Sequence, residues 1–150
     1  MEFLSKSLKE TTKIASDFAK SLQNKGQKAL VVGLYGELGS GKTTFMKYLA
    51  EVLGLREVIQ SPTFVIMKKY HLVPISSKLS APNLSHLIHI DAYRIESGEE
   101  MKILGWEKLI SDPKNLICVE WPERISEIIP KHVVIKFEHV SENKRKIKIE

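Results

Sequence analysis

The stretch 29-ALVVGLYGELGSGKTTF-45 runs from an apolar segment through a glycine-rich turn into the start of a helical pattern. Residues 28–35 are near-continuously apolar, as expected of a strand covered on both faces. Phe45, Leu49 and Val52–Leu53 then recur at helical spacing over 42–53, and the pattern stops near Gly54. Between the two lie Gly36, Gly41, Lys42 and Thr43, which match the phosphate-loop pattern G-x-x-x-x-G-K-[ST]. The spacing has a mechanical reason. Glycines admit positive φ and let the backbone wrap close to phosphates, while a helix starting near Lys42 offers unpaired N–H groups to an anion. In this pattern Lys42 bridges the β- and γ-phosphates of a nucleotide and the Thr43 hydroxyl binds Mg²⁺. A buried strand before the loop and an amphipathic helix after it supply the context that the motif needs.

Working outward, Ser7-Leu8-Lys9-Glu10 has the form of a capping box. Ile14, Phe18 and Leu22 follow at four-residue spacing with Thr11, Ala15 and Ala19 beside them, which predicts a helix over 8–24 ending near Asn24-Lys25-Gly26. Strands are predicted at 63–70, 86–91, 115–121 and 132–137, and the alternating tail 145–150 reads as one more. Helical stretches fall near 97–110 and 123–128, and residues 75–85 form a polar loop rich in Ser and Pro. Strands alternating with helices point to an α/β fold, a P-loop NTPase-like three-layer sandwich around a mainly parallel sheet. With no repeat, low-complexity tract or linker, the 150 residues are expected to form one domain, 1–150.

Composition excludes several classes. A hydrophobic share of 43% with 27% charged residues suits a globular protein, and no apolar run approaches the length of a membrane span. The N-terminal MEFLSKSLKE lacks the apolar core of a signal peptide. One cysteine, Cys118, permits no internal disulfide; it reads as core filler and suits a reducing cytoplasm. The net charge of +5 comes largely from dispersed lysines, and the basic stretch 144–148 reads as a soluble sheet edge. His71, His86, His89, His132 and His139 show no spacing typical of a metal cluster.

A nucleotide site of this type needs an acid at the C-terminal end of a neighbouring strand. Two apolar runs deliver one: 87-LIHID-91 ends in Asp91 and 116-LICVE-120 ends in Glu120. Either one, or both together, would bind Mg²⁺ or organise water. A GTPase would carry Asn-Lys-x-Asp, whereas the nearest match, Asn24-Lys25-Gly26-Gln27, lacks the acid and precedes the loop. A small-molecule kinase would close an arginine-bearing lid, but the four arginines at 56, 94, 124 and 145 form no cluster in sequence. A hydrolytic switch fits better, because it requires only a nucleotide clamp, a water-organising acid and a segment that changes shape. A nucleotide-dependent binding module and a kinase remain the alternatives.

Three further stretches, 61-SPTF-64, 91-DAYR-94 and 120-EWPE-123, follow GELGSGKTTF in an order and spacing that resemble the TsaE (YjeE) family. These are small bacterial ATPases required for threonylcarbamoyl modification of adenosine in tRNA. The resemblance extends from the first helix to about Pro130 and includes 99-EEMKILGWEKLI-110. It implies that Gly36, Glu37, Leu38, Gly39, Ser40, Gly41, Lys42, Thr43 and Thr44 cradle ATP. Thr11, on the first helix, could approach the adenine side or be an exposed helix residue without a function. The resemblance implies that Thr43 with Asp91 or Glu120 holds Mg²⁺, and that Lys42, Asp91 and Glu120 carry catalysis. Ser61, Pro62, Thr63 and Phe64 would form a switch-like loop facing the γ-phosphate. Trp121 would sit beside the site, and Arg94 would contact a phosphate or the partner, or else pair with Glu96 or Glu99. The implied partners are the TsaD and TsaB proteins of the threonylcarbamoyl-transfer complex, with tRNA engaged indirectly and no membrane involved. ATP hydrolysis would reset that complex between rounds. Family members usually carry Asp, Arg and Leu where this chain has Glu37, Lys47 and Ala92.

Overall fold

The chain was analysed as a computed structural model, which describes residues 1–55, 57, 59, 66–73 and 83–150. In chain order its elements are β1 (Glu2–Ser5), α1 (Leu8–Ser21), β2 (Leu30–Tyr35), α2 (Lys42–Val52), β3 (Met67–His71) and β4 (His86–Asp91), followed by α3 (Glu99–Ile103), α4 (Trp106–Ser111), β5 (Asn115–Glu120), a 3₁₀ turn (Pro122–Ile125), β6 (Val133–Ser141) and β7 (Lys144–Ile149). Among the described residues the strands form one sheet in the order β1-β7-β6-β2-β5-β4-β3. The four central strands, β6, β2, β5 and β4, run parallel. The pairs that flank them, β3 on one side and β7 with β1 on the other, are antiparallel. The sheet is therefore mixed, parallel at its centre and antiparallel on both flanks. β2, β4 and β5 are buried along almost their whole length, as strands covered on both faces must be.

Alternate side chains of the central strands enter two separate cores. Val32, Leu34, Leu87, Leu116 and Cys118 pack beneath α1 and α2. Val31, Ile88, Ile90, Ile117 and Val119 pack against Met101, Trp106 and Ile125. These are the three layers expected from the sequence. Phe45 sits at the centre of the first core, with ring centroids 6.0 Å from Phe18 and 5.3 Å from Phe137. Burying such a ring stabilises the fold by roughly 1.5–3 kcal/mol. At the start of α1 the Ser7 hydroxyl accepts a hydrogen bond from Glu10 N at 3.2 Å. The Glu10 carboxylate in turn accepts from Lys6 N at 2.6 Å, one residue ahead of the usual reciprocal partner.

Local deviations from the expected elements have visible causes. α1 stops at Ser21 because Leu22 turns extended (φ −65°, ψ 122°) and buries its side chain. The helix expected over 97–110 is two short ones, broken where Gly105 takes φ 83°. The stretch 123–128 forms only a 3₁₀ turn led by Pro122. Residues 63–65 of the expected strand 63–70 lie outside the described residues, and Met67–His71 is a strand. The largest correction concerns the basic tail. β7 is not an edge strand, because the four-residue β1 pairs outside it, with Glu2 opposite Lys148 and Leu4 opposite Lys146. Its lysines meet acids on neighbouring strands instead: Lys146 lies 3.3 Å from Glu2 and 4.0 Å from Glu138. Among the described residues no helix is long and apolar enough to cross a membrane.

Candidate functional site

β2 delivers the chain to the glycine turn at the C-terminal ends of the parallel strands. Gly36, Gly39 and Gly41 take φ of 147°, 74° and 105°. A Cβ at Gly36 would come within 2.5 Å of the Phe137 carbonyl oxygen and 2.7 Å of Ser40 Oγ, so only glycine fits there. Gly41, left-handed, starts α2, and its carbonyl accepts from Phe45 N at 2.9 Å. Glu37 and Leu38 are exposed at the tip, Thr44 is half-buried in the first helical turn, and Ser40 is wholly buried. The Ser40 hydroxyl has no hydrogen-bond partner among the described residues.

Lys42 is buried at the start of α2, and its Nζ donates to the carbonyls of Gly36 and Glu37, the latter at 2.9 Å. The same ammonium lies 4.3 Å from the centroid of the Trp121 ring. Burial pushes the Lys42 pKa down, against the charges of Glu120, Glu123, Asp91 and Glu37. The loop thus holds its cation on neutral carbonyl acceptors that an anion could replace.

Both strand-end acids arrive at this place. β4 and β5 pair in parallel with Asp91 opposite Glu120, and β2 pairs with β5 on its other side with Leu34 opposite Glu120. Thr43 Oγ1 donates to Glu120 Oε1 at 2.7 Å, and His89 Nε2 lies 3.1 Å from Glu120 Oε2. His89 and Glu120 are both almost wholly buried. Burial pushes the Glu120 carboxyl up, but the hydrogen bonds of His89 and Thr43 and the nearby Lys42 charge outweigh it and hold the group below its ordinary range. Asp91 is half-buried, with Oδ1 accepting from Tyr93 N at 3.0 Å. Burial raises its pKa, the Tyr93 bond pulls it back, and the Glu120 charge adds to the rise.

Trp121 follows Glu120 in a left-handed conformation (φ 60°, ψ 49°), which is the one positive φ at a non-glycine among the described residues. Its ring lies 5.0 Å from that of Tyr93, so the exits of β5 and β4 touch through their aromatics. Arg94 is exposed on the turn after Asp91 and has an interaction of its own. Ser61, Pro62, Thr63 and Phe64 lie outside the described residues. Thr11 is buried, and its hydroxyl is 2.7 Å from Ser5 Oγ. It lines a cleft of about 470 Å³ together with Ser7, Leu8, Asn143 and Arg145. The cleft adjoins the glycine loop, since Arg145 Cγ is 3.9 Å from the position of a Cβ on Gly41.

Sequence reasoning missed three participants. His89 was discounted because its partner is 31 residues away on another strand, and Arg145 because β7 was expected at an edge. Tyr93 gave no signal beyond lying in 91-DAYR-94. The oxygen donors of Thr43, Glu120 and Asp91 suit a hard cation such as Mg²⁺, and the buried, unpartnered Ser40 hydroxyl beside the glycine turn suits an anion. Among the described residues no group of three or more His, Cys, Asp or Glu could hold a metal ion by itself. A hydroxyl and substrate phosphates would have to complete such a site, as is usual for Mg²⁺.

The family described as "Threonylcarbamoyl adenosine biosynthesis protein TsaE" matches residues 5–147. A protein of Aquifex aeolicus named tRNA threonylcarbamoyladenosine biosynthesis protein TsaE is 33% identical over 150 residues, covering 99% of this chain and 94% of that protein. The Bacillus subtilis protein of the same name is 37% identical over 109 residues, or 71% of this chain and 61% of its own length. Among solved structures, Bacillus subtilis YdiB superposes with a TM-score of 0.68 at 28% identity, covering 98% of this chain and 82% of that one.

Proposed function

Since the chain belongs to the TsaE family, we propose that it is a magnesium-dependent ATPase serving threonylcarbamoyladenosine modification of tRNA. The observation that carries this reading is the 2.7 Å bond between Thr43, in the first turn after the glycine loop, and Glu120, at the end of the adjacent parallel strand. The pathway follows from the names of the family and of its relatives.

Each residue has a stated task. Backbone amides of 36–44 and the Lys42 ammonium hold the phosphates, with Lys42 exchanging the carbonyls of Gly36 and Glu37 for phosphate oxygens. Charge that shifts toward the β–γ bridge during hydrolysis is met by that ammonium in a site already shaped for it. Thr43 and Glu120 hold Mg²⁺, which when bound neutralises charge on the phosphates. Asp91 commits one oxygen to Tyr93 N, and its other oxygen orients the attacking water. Its raised pKa suits an acceptor of a proton. The adenine enters the cleft lined by Thr11 and Arg145. Arg94 and Trp121 face the phosphates or the partner. The partners are TsaD and TsaB in the cytoplasm, tRNA is engaged through them, and hydrolysis resets their complex.

The test is phosphate release from ATP with and without Mg²⁺, by the chain alone and with TsaB and TsaD of the same organism. Slow, Mg²⁺-dependent release that the two proteins stimulate is the expected result, abolished by Lys42→Ala. Equal rates with and without the two proteins would overturn the assignment of partners. Wild-type rates in Lys42→Ala would overturn the site itself.

A further inference from the structure

We propose that His89 is the positioning residue of the metal site: through Nε2 it fixes one oxygen of Glu120 and thereby turns the other toward Thr43 and the cation. The inference rests on the magnesium-dependent reading above and names a residue which that reading does not use.

The geometry carries it. A carboxylate accepts hydrogen bonds and donates none, so the 3.1 Å contact between His89 Nε2 and Glu120 Oε2 requires a hydrogen on Nε2. His89 Nδ1 is buried and has no partner among the described residues. Nε2 is therefore the ring nitrogen whose hydrogen Glu120 holds. Oε1, the opposite oxygen of the same carboxylate, takes the Thr43 hydroxyl at 2.7 Å. Each oxygen of Glu120 therefore has one assigned donor, and the carboxylate cannot rotate without breaking both bonds. His89 and Glu120 stand on neighbouring parallel strands, with His89 opposite Cys118 and Asp91 opposite Glu120. His89 is thus one side-chain step behind the end of β4, on the same face as Asp91. A buried histidine in that place reaches the end of β5, whereas Asp91 itself stands half-buried at the end of β4. Groups that orient a ligand carboxylate typically alter metal affinity about 10–100-fold when removed.

Two variants of similar polarity separate the Nε2 bond from mere bulk. The Gln side chain can bring an amide N–H to where Nε2 stands, while the shorter Asn amide reaches only the Nδ1 position. The readout is Mg²⁺ affinity in the ATP complex, taken from titration of metal into protein with a fluorescent ATP analogue. Thermal midpoint and metal-free binding of the analogue serve as the measures of folding and of the phosphate loop. His89→Asn is expected to weaken Mg²⁺ roughly tenfold or more with metal-free binding kept, and His89→Gln to stay within about threefold of the wild type. In a Glu120→Gln background His89→Asn should add no further loss. Equal Mg²⁺ affinity for the Asn and Gln variants, whether retained or lost, would overturn the role of Nε2. A second measurement needs no variant. Long-range ¹H–¹⁵N correlation on the native protein is expected to find His89 protonated at Nε2, and a ring bare at Nε2 would overturn the inference. If the wild type itself bound the analogue without any response to Mg²⁺, the magnesium-dependent reading would fall first, and this inference with it.

Discussion

Two neighbouring strands of the same sheet end in acids that stand directly opposite each other, yet the two ends are built differently. At the end of β5, Glu120 is buried, tied at both oxygens, and held below its ordinary pKa. At the end of β4, Asp91 is half-buried, tied at one oxygen, and pushed above its own. Position in the sheet explains the contrast. β5 lies between β2 and β4, so Glu120 is enclosed by the loop helix on one side and His89 on the other. Among the described residues β4 has only β3 beyond it, and Asp91 at its end is half-buried. One carboxylate is made into a fixed anion for a cation, and the other into a group that can take a proton.

The largest effect should come from cancelling that contrast at β5. Glu120→Gln removes the fixed charge while keeping the shape, and is expected to reduce ATP turnover about 10³-fold, with Mg²⁺ affinity reduced as well. At β4, Asp91→Asn is expected to cost about 10²-fold in turnover with Mg²⁺ affinity near that of the wild type. Steady-state rates and metal titration on both variants separate the roles. Loss of Mg²⁺ affinity in Asp91→Asn alone would reverse the assignment.

Stability against pH gives a smaller but independent reading, and the signs are opposite. Glu120 is held below its ordinary value of 4.5, so its contribution to stability is present above that value and lost as pH falls through the lowered one. Asp91 sits above its ordinary value of 3.8, so its contribution is present below 3.8 and lost as pH rises through the raised one. Denaturant midpoints across the acid to neutral range should therefore rank Asp91→Asn above the wild type at neutral pH and closer to it in acid. A variant no more stable than the wild type at neutral pH would mean that Asp91 is relieved by a partner.

How much of this was legible in the sequence depended on range. The strand, loop and helix over 29–53 lie together in the chain, and each local signal agreed with the fold. The two acids were visible because apolar runs ended in them, but their division of labour was not. That division depends on His89 being brought to Glu120 across two strands, and no spacing encodes it. The same holds for the antiparallel flank. β1 has only four residues, too few for a clear alternation, and its pairing with β7 spans nearly the whole chain. Arg145 comes to the glycine loop through the pairing of β7 with β6, where it stands opposite His139.

The two strand ends also leave the sheet differently, and the smallest predicted effect tests why. After Asp91 the chain turns through Ala92 and Tyr93 with negative φ, whereas after Glu120 it turns through Trp121 at φ 60°. A left-handed Trp costs roughly 1–2 kcal/mol. Its return is the ring over Lys42 and against Tyr93, worth about 0.5–1 kcal/mol for the cation and a similar amount for the aromatic pair. Trp121→Gly removes the strain and the contacts together, so stability should change by less than about 1 kcal/mol. Trp121→Ala keeps the strained backbone and loses the ring, and should be the less stable of the two variants by about 1 kcal/mol. Urea unfolding of the two side by side measures the difference, and an Ala variant equal to the Gly variant would show that the backbone turn is unstrained. With the order as expected, the β5 exit is a turn held against its own preference by what the tryptophan touches. Displacing Lys42 from beneath the ring would then weaken the turn at Trp121, while the β4 exit, relaxed from the start, would stay as it is.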